Sequence, residues 1–98
     1  MINFKIFEQK KSEIRSVLNG YFGVDFLIKT RKSEVMYPRQ IYIYCLYIFT
    51  DIKLRGIARE AGLTDHSSVI YSVRKIRDYC KTDPRIKQEI IDIETLLE

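Results

Sequence analysis

Residues 54–77, LRGIAREAGLTDHSSVIYSVRKIR, constrain the chain most, because two helical registers meet there across one glycine. Leu54, Ile57, Ala58 and Ala61 follow the i, i+3, i+4, i+7 spacing of one buried helix face. Gly62 stops that helix, since glycine takes the left-handed C-terminal position without a Cβ clash. Thr64 or Asp65 can cap the next helix by accepting a hydrogen bond from a free N–H of its first turn. Val69, Val73, Ile76 and Cys80 then form a second apolar stripe, which leaves His66, Ser67, Ser68, Tyr71, Arg74 and Lys75 to point elsewhere. A short helix, a glycine turn and a second helix with a polar tip form the layout of a helix-turn-helix.

The rest of the chain reads as an all-α bundle of about five helices around this unit. A helix over 6–22 carries the stripe Ile14, Val17, Leu18, Tyr21 and Phe22; Gly20 and Gly23 fray its end, and Asp25 caps a short turn through Phe26, Leu27 and Ile28. Residues 29–37, KTRKSEVMY, show no helical stripe and read as a basic loop. Pro38 suits the first turn of the next helix, over 38–50, where its missing N–H would be unpaired anyway. That helix is apolar almost all round (Ile41, Ile43, Tyr44, Cys45, Leu46, Ile48, Phe49), as expected of the buried centre of a bundle. Arg39 and Gln40 are then expected at its N-terminal tip, where the helix dipole favours a phosphate. Thr82 and Asp83 break the chain, and Pro84 opens a last helix over 84–98 with the stripe Ile86, Ile90, Ile93 and Leu97. Without an internal repeat or linker, residues 1–98 read as one domain: scaffold over 1–28, then loop, central helix, helix-turn-helix over 54–80 and closing helix.

Charge is informative through its distribution. The formal net charge is only +4. Lys and Arg outnumber Asp and Glu by 4 to 1 over residues 29–39 and by 6 to 2 over residues 53–77, whereas residues 78–98 hold 3 against 6. A basic stripe on a helix-turn-helix is the electrostatic footprint of a nucleic-acid binder. No apolar run reaches the length of a membrane span, and the N-terminus lacks the apolar core of a signal peptide, so a cytoplasmic protein is expected. Cys45 and Cys80 lie on apolar stripes without CxxC spacing and read as reduced core thiols.

Catalysis finds little support. There is no glycine-rich phosphate loop, no HExxH pair and no cysteine-histidine metal set, so neither cofactor nor metal is expected. Asp65, His66 and Ser67 are chain neighbours pointing about 100° apart, which disfavours a hydrolytic triad. As a tip entering the major groove, the same residues make chemical sense. His66 donates or accepts, Ser67 and Ser68 do both over a short reach, and Asp65 accepts from a cytosine amino group. Pure capping is an equal alternative for Asp65 and Ser68. Arg74 and Lys75 are placed to meet phosphate. Lys29, Arg31 and Lys32 supply a segment for an adjacent minor groove.

The chain resembles the C-terminal DNA-binding domain of DnaA, the bacterial chromosomal replication initiator. DHSSVIYSVRKI, residues 65–76, is similar to that family's Asp-His-Ser/Thr-Thr-Val…Ala-x-Lys-Ile signature, and the basic loop, Pro38-Arg39-Gln40 and the Leu…Ile-Ala…Gly helix precede it in the same order. The resemblance implies sequence-specific binding of double-stranded DNA at short A·T-rich boxes of a replication origin, and a nucleoid-associated protein. Residue by residue it implies Arg31 in the minor groove and Asp65, His66, Ser67 and Ser68 in the major groove. It implies Arg39 and Gln40 on the backbone or the box edge and Leu54 and Arg55 on phosphate, and Arg74 and Lys75 match the family's basic pair; Lys29 and Lys32 are expected on the backbone as well. Where the family usually has Gly-Gly-Arg, this chain has Gly62-Leu63-Thr64, and serines replace common threonines at 67 and 68, so a different box or a lower affinity is expected. A AAA+ module on a longer initiator, or associated replication proteins, are the partners the resemblance implies. Two rivals stand beside this reading: a stand-alone helix-turn-helix transcriptional regulator, and a protein-interaction bundle using Tyr42, Tyr44 and Tyr47.

Overall fold

The structure, a computed structural model, describes residues 4–23, 26, 33–63 and 65–97. Its helices are α1 (Phe4–Phe22), α2 (Ser33–Phe49), α3 (Leu54–Glu60), α4 (His66–Thr82) and α5 (Pro84–Leu97), and no strand occurs among the described residues. The all-α bundle expected from the sequence is therefore the fold. Lys29, Arg31 and Lys32 of the basic loop, Asp25 with Leu27 and Ile28, and Thr64 lie outside the described residues.

Helix α2 forms the centre, packed against α1, α3 and α4. Ile41, Tyr42, Ile43, Cys45 and Leu46 are all buried, as its nearly continuous apolar sequence demands. Around it, α1 contributes Phe7, Ile14 and Leu18, α3 contributes Ile57 and Ala58, α4 contributes Val69, Val73 and Ile76, and α5 contributes Ile90, Ile93 and Leu97. These follow the stripes read from the sequence, to which Phe7 is an addition. Tyr21 lies exposed at the edge of the α1 stripe, and Ser72 is buried on α4. The two cysteines are free thiols, and burial pushes that of Cys45 up to about 12.

The expectation of a loop through Tyr37 is corrected here, because α2 starts at Ser33 and Pro38 lies inside it. Pro38 removes the N–H that would reach the carbonyl of Glu34 and disfavours helical backbone at the residue before it. Burial offsets that cost. Val35 is buried, Pro38 is buried, and the half-buried Tyr37 sets its ring edge against Phe22 with centroids 5.9 Å apart. Val35, Pro38, Tyr42 and Cys45 form one inward stripe, which the basic residues just before it conceal in the sequence. Consequently Arg39 and Gln40 do not sit at a helix tip, and the dipole argument for a phosphate there does not apply.

Two glycines are set by geometry. Gly62 has φ +74° and closes α3 in a Schellman motif: its N–H donates to the Arg59 carbonyl (3.2 Å) and that of Leu63 to the Ala58 carbonyl (2.7 Å). Gly56 lies under Ile52, whose Cγ1 would come within 2.6 Å of any added Cβ.

Tyr42 carries a testable cost. Its ring is fully buried against Phe26 (centroids 5.1 Å), yet its hydroxyl has no hydrogen-bond partner among the described residues. An unpaired buried hydroxyl costs roughly 1–3 kcal/mol. Tyr42→Phe keeps the ring contact and removes the orphan, so stability is expected to rise by about 1 kcal/mol, or about 4–8 °C in Tm. A lower Tm would mean that the hydroxyl is paired.

Candidate nucleic-acid interface

The turn from α3 into α4 aims the polar tip. Asp65 has extended backbone and caps α4, its Oδ1 accepting from the Ser67 N–H at 2.9 Å. Of the two residues that could have capped, Asp65 does so. That N–H, followed by the Ser67 hydroxyl and the His66 charge, holds the Asp65 carboxyl below the usual carboxylate range. His66 Nδ1 lies 3.8 Å from the same carboxylate oxygen, beyond hydrogen-bond range, so the pair does not form the oriented couple of a hydrolytic triad. The side chains of Asp65 and His66 are 62% and 58% exposed, and Ser67 is exposed beside them.

Because the folded-state carboxyl is depressed, the Asp65 contribution to stability is present above the unfolded carboxylate pKa of about 3.9 and fades as pH falls through the folded value. Asp65→Asn keeps an acceptor at the cap but not the charge. The Tm gap between wild type and this variant is expected to close between neutral pH and about pH 3. A gap unchanged over that range would show that charge plays no part in the cap.

Along α4 the exposed face carries Ser67, Ile70, Tyr71, Arg74 and Arg77, while Val69, Ser72, Val73 and Ile76 face the core. Lys75 is half-buried, its ammonium 5.6 Å from the centre of the Tyr71 ring and 5.7 Å from that of Tyr79. Ser68, half-exposed, lines a shallow depression together with Tyr71 of its own helix and Arg39 and Gln40 of α2. Arg39 also donates from Nε to the Phe26 carbonyl at 2.9 Å, tying α2 to the chain just before the basic segment. Sequence periodicity did not bring Arg39, Gln40 and Ser68 together; the packing of α2 on α4 does.

At the start of α3, Leu54 is half-buried and Arg55 exposed. Both border an open depression with Tyr47, Asp51 and Lys53. Of the sequence-predicted site residues, one group thus surrounds the tip of α4 and another lies at the start of α3. Two residues here have no site role in the sequence reading, although it places Tyr71 off the apolar stripe of its helix. Tyr71, 56% exposed, stands one turn beyond Ser68, and Lys53 directly precedes Leu54. The signal for Tyr71 was available: a large aromatic off the apolar stripe of an amphipathic helix. Among the described residues no group of His, Cys, Asp and Glu could hold a metal ion, and no helix is long and apolar enough to cross a membrane.

A seven-residue helix, a Schellman turn and a capped helix of 17 residues with an exposed polar tip define a helix-turn-helix protein. The model of the bacterial dnaA protein helix-turn-helix family matches residues 12–76, and the chain belongs to that family. The match runs from within α1 to Ile76 on α4. The family's domain is a DNA-binding and not a catalytic one, which makes this a DNA-binding protein; the match takes in the signature of residues 65–76 together with the segments before it.

Proposed function

We propose that the chain is a single domain that binds double-stranded DNA sequence-specifically at short A·T-rich boxes of the replication-initiator type. The observation that carries this reading is the exposed Asp65-His66-Ser67 tip on a helix that follows the Gly62 Schellman turn, inside the family match. His66 and Ser67 read base edges in the major groove, with Ser68 at the margin of the tip. Asp65 aims them by capping and offers its second carboxylate oxygen to a cytosine amino group. Arg31 enters the adjacent minor groove, with Lys29 and Lys32 on flanking phosphates. Leu54 and Arg55 at the start of α3, and Arg74 on α4, meet the backbone. Lys75 acts from its seat between two tyrosine rings, and Arg39 and Gln40 act from the flank of α2, not from a helix tip. The domain works with a AAA+ initiator module or other replication proteins, which supply the ATP-dependent steps, in the bacterial cytoplasm at the nucleoid.

The tyrosines of the protein-interaction rival give it less support than the α4 tip gives DNA binding. Tyr42 is fully buried, Tyr44 half-buried, and Tyr47 lies under the Arg77 guanidinium, so the three tyrosines form no common exposed face.

Fluorescence anisotropy at two salt concentrations, comparing an A·T-rich initiator box with a scrambled duplex of equal composition, tests the proposal. Tighter binding to the box that persists as salt rises is the expected result. Equal binding to both duplexes, falling together with salt, would leave only an electrostatic helix-turn-helix.

A further inference from the structure

Arg77 is the first residue past the family match, and its position is not that of an ordinary solvated cation. Its guanidinium carbon lies 5.6 Å from the centre of the Tyr47 ring, joining α4 to the C-terminal end of α2. Tyr47 is itself 41% exposed. It borders the same open depression as Lys53 and Arg55, both exposed. Tyr47 is thus the common neighbour of cations from three segments: Arg77 of α4 lies over its ring, and Lys53 of the loop after α2 and Arg55 at the start of α3 lie along the depression that it borders. Asp51 borders the depression too and is the one carboxylate at its rim among the described residues.

We infer that Arg77, seated on Tyr47 beside Lys53 and Arg55, forms a second clamp for the phosphodiester backbone of duplex DNA, outside the base-reading tip. The inference rests on the DNA-binding reading and adds a contact that the matched part of the family's sequence does not include. Helix geometry supports it. Arg77 lies ten residues beyond Ser67, about 15 Å along the axis at 1.5 Å per residue. The major groove is about 12 Å wide, so with Ser67 on the bases Arg77 reaches past the groove to its phosphate border. It is turned roughly 80° from Ser67 around the helix, toward the start of α3, whereas Arg74 stays within about 20° of Ser67. Stacking on an aromatic face leaves the in-plane N–H edge of a guanidinium open, and that edge pairs with two phosphate oxygens at once. The ring also holds the long side chain in place before DNA arrives, which lowers the entropy lost on contact.

The test is anisotropy titration of wild type, Arg77→Ala, Arg77→Lys, Asp51→Asn and Lys87→Ala on box and scrambled duplexes across a salt series. Lys87 is an exposed cation on α5 and controls for net charge alone. Arg77→Ala is expected to weaken both duplexes several-fold and alike, and to lower the slope of log K against log salt by about 0.9. Arg77→Lys should recover the slope but only part of the affinity, since it loses the stack and the paired N–H edge. Asp51→Asn should tighten both duplexes. Trimming the duplex on one side of the box should weaken wild type and abolish its advantage over Arg77→Ala. The clamp is overturned if Arg77→Ala matches Lys87→Ala, if its loss is confined to the box, or if trimming at neither end removes it. Wild type binding neither duplex would instead sink the DNA-binding reading itself.

Discussion

Leu46→Ala is expected to lower the unfolding free energy by about 2–5 kcal/mol, the range for truncating a fully buried leucine. Leu46 has no exposed surface and sits on α2, which packs against α1, α3 and α4. A cavity there has walls from several helices, and none can collapse into it without pulling away from another. Domains of this size are stable by only about 5–15 kcal/mol, so the loss is a large share of the whole. Tm should fall by about 10–30 °C. DNA binding should fall with it near the new transition, because α2 is the surface on which α3 and α4 are held at their mutual angle. Urea unfolding followed by circular dichroism measures the change. A loss under about 1 kcal/mol would contradict a close-packed centre at Leu46.

His66→Ala should do the reverse: leave stability unchanged and remove recognition. The His66 side chain is 58% exposed, and the capping bond of α4 is donated by the Ser67 N–H to Asp65, so folding depends little on the imidazole. On the box duplex the expected cost is about 1–3 kcal/mol, roughly 5- to 150-fold in Kd, as for loss of one base-edge contact. The scrambled duplex should bind as before. Equal losses on both duplexes would move His66 from base reading to phosphate contact. Comparison with Arg77→Ala is instructive: the tip variant should change discrimination and keep the salt slope, while the clamp variant should change the slope and keep discrimination.

Much of the helix-turn-helix was legible in the sequence, for local reasons. The stripe of α3 ends at Ala61, and Gly62 takes the positive φ that a Schellman closure requires. Asp65 caps through an atom two residues from its donor, and Pro84 opens α5 at the position where a missing N–H costs nothing. Each of these depends on residues within a turn or two of each other. The exposure of His66 and Ser67 follows as well, since they fall off the stripe of Val69, Val73 and Ile76.

The features that local pattern misassigned depend on distant partners. Ser33–Tyr37 has basic residues before it and a proline after it, which are loop signals, yet it is helical because Val35, Tyr37 and Pro38 find apolar partners elsewhere. Arg39 was expected at a helix tip facing phosphate; its Nε is instead engaged by the Phe26 carbonyl 13 positions earlier. Tyr42, Tyr44 and Tyr47 read as one aromatic face, but 100° per residue sends Tyr42 to the core and leaves Tyr47 at the rim for Arg77. The sequence by itself determined which segments are helices on either side of the turn, which faces they bury and which residues stand exposed at the tip of α4, since periodicity and capping act over one or two turns. Only the tertiary structure decided where α2 begins and that Arg77 lies over Tyr47, because those outcomes are set by side chains that meet only when the helices pack.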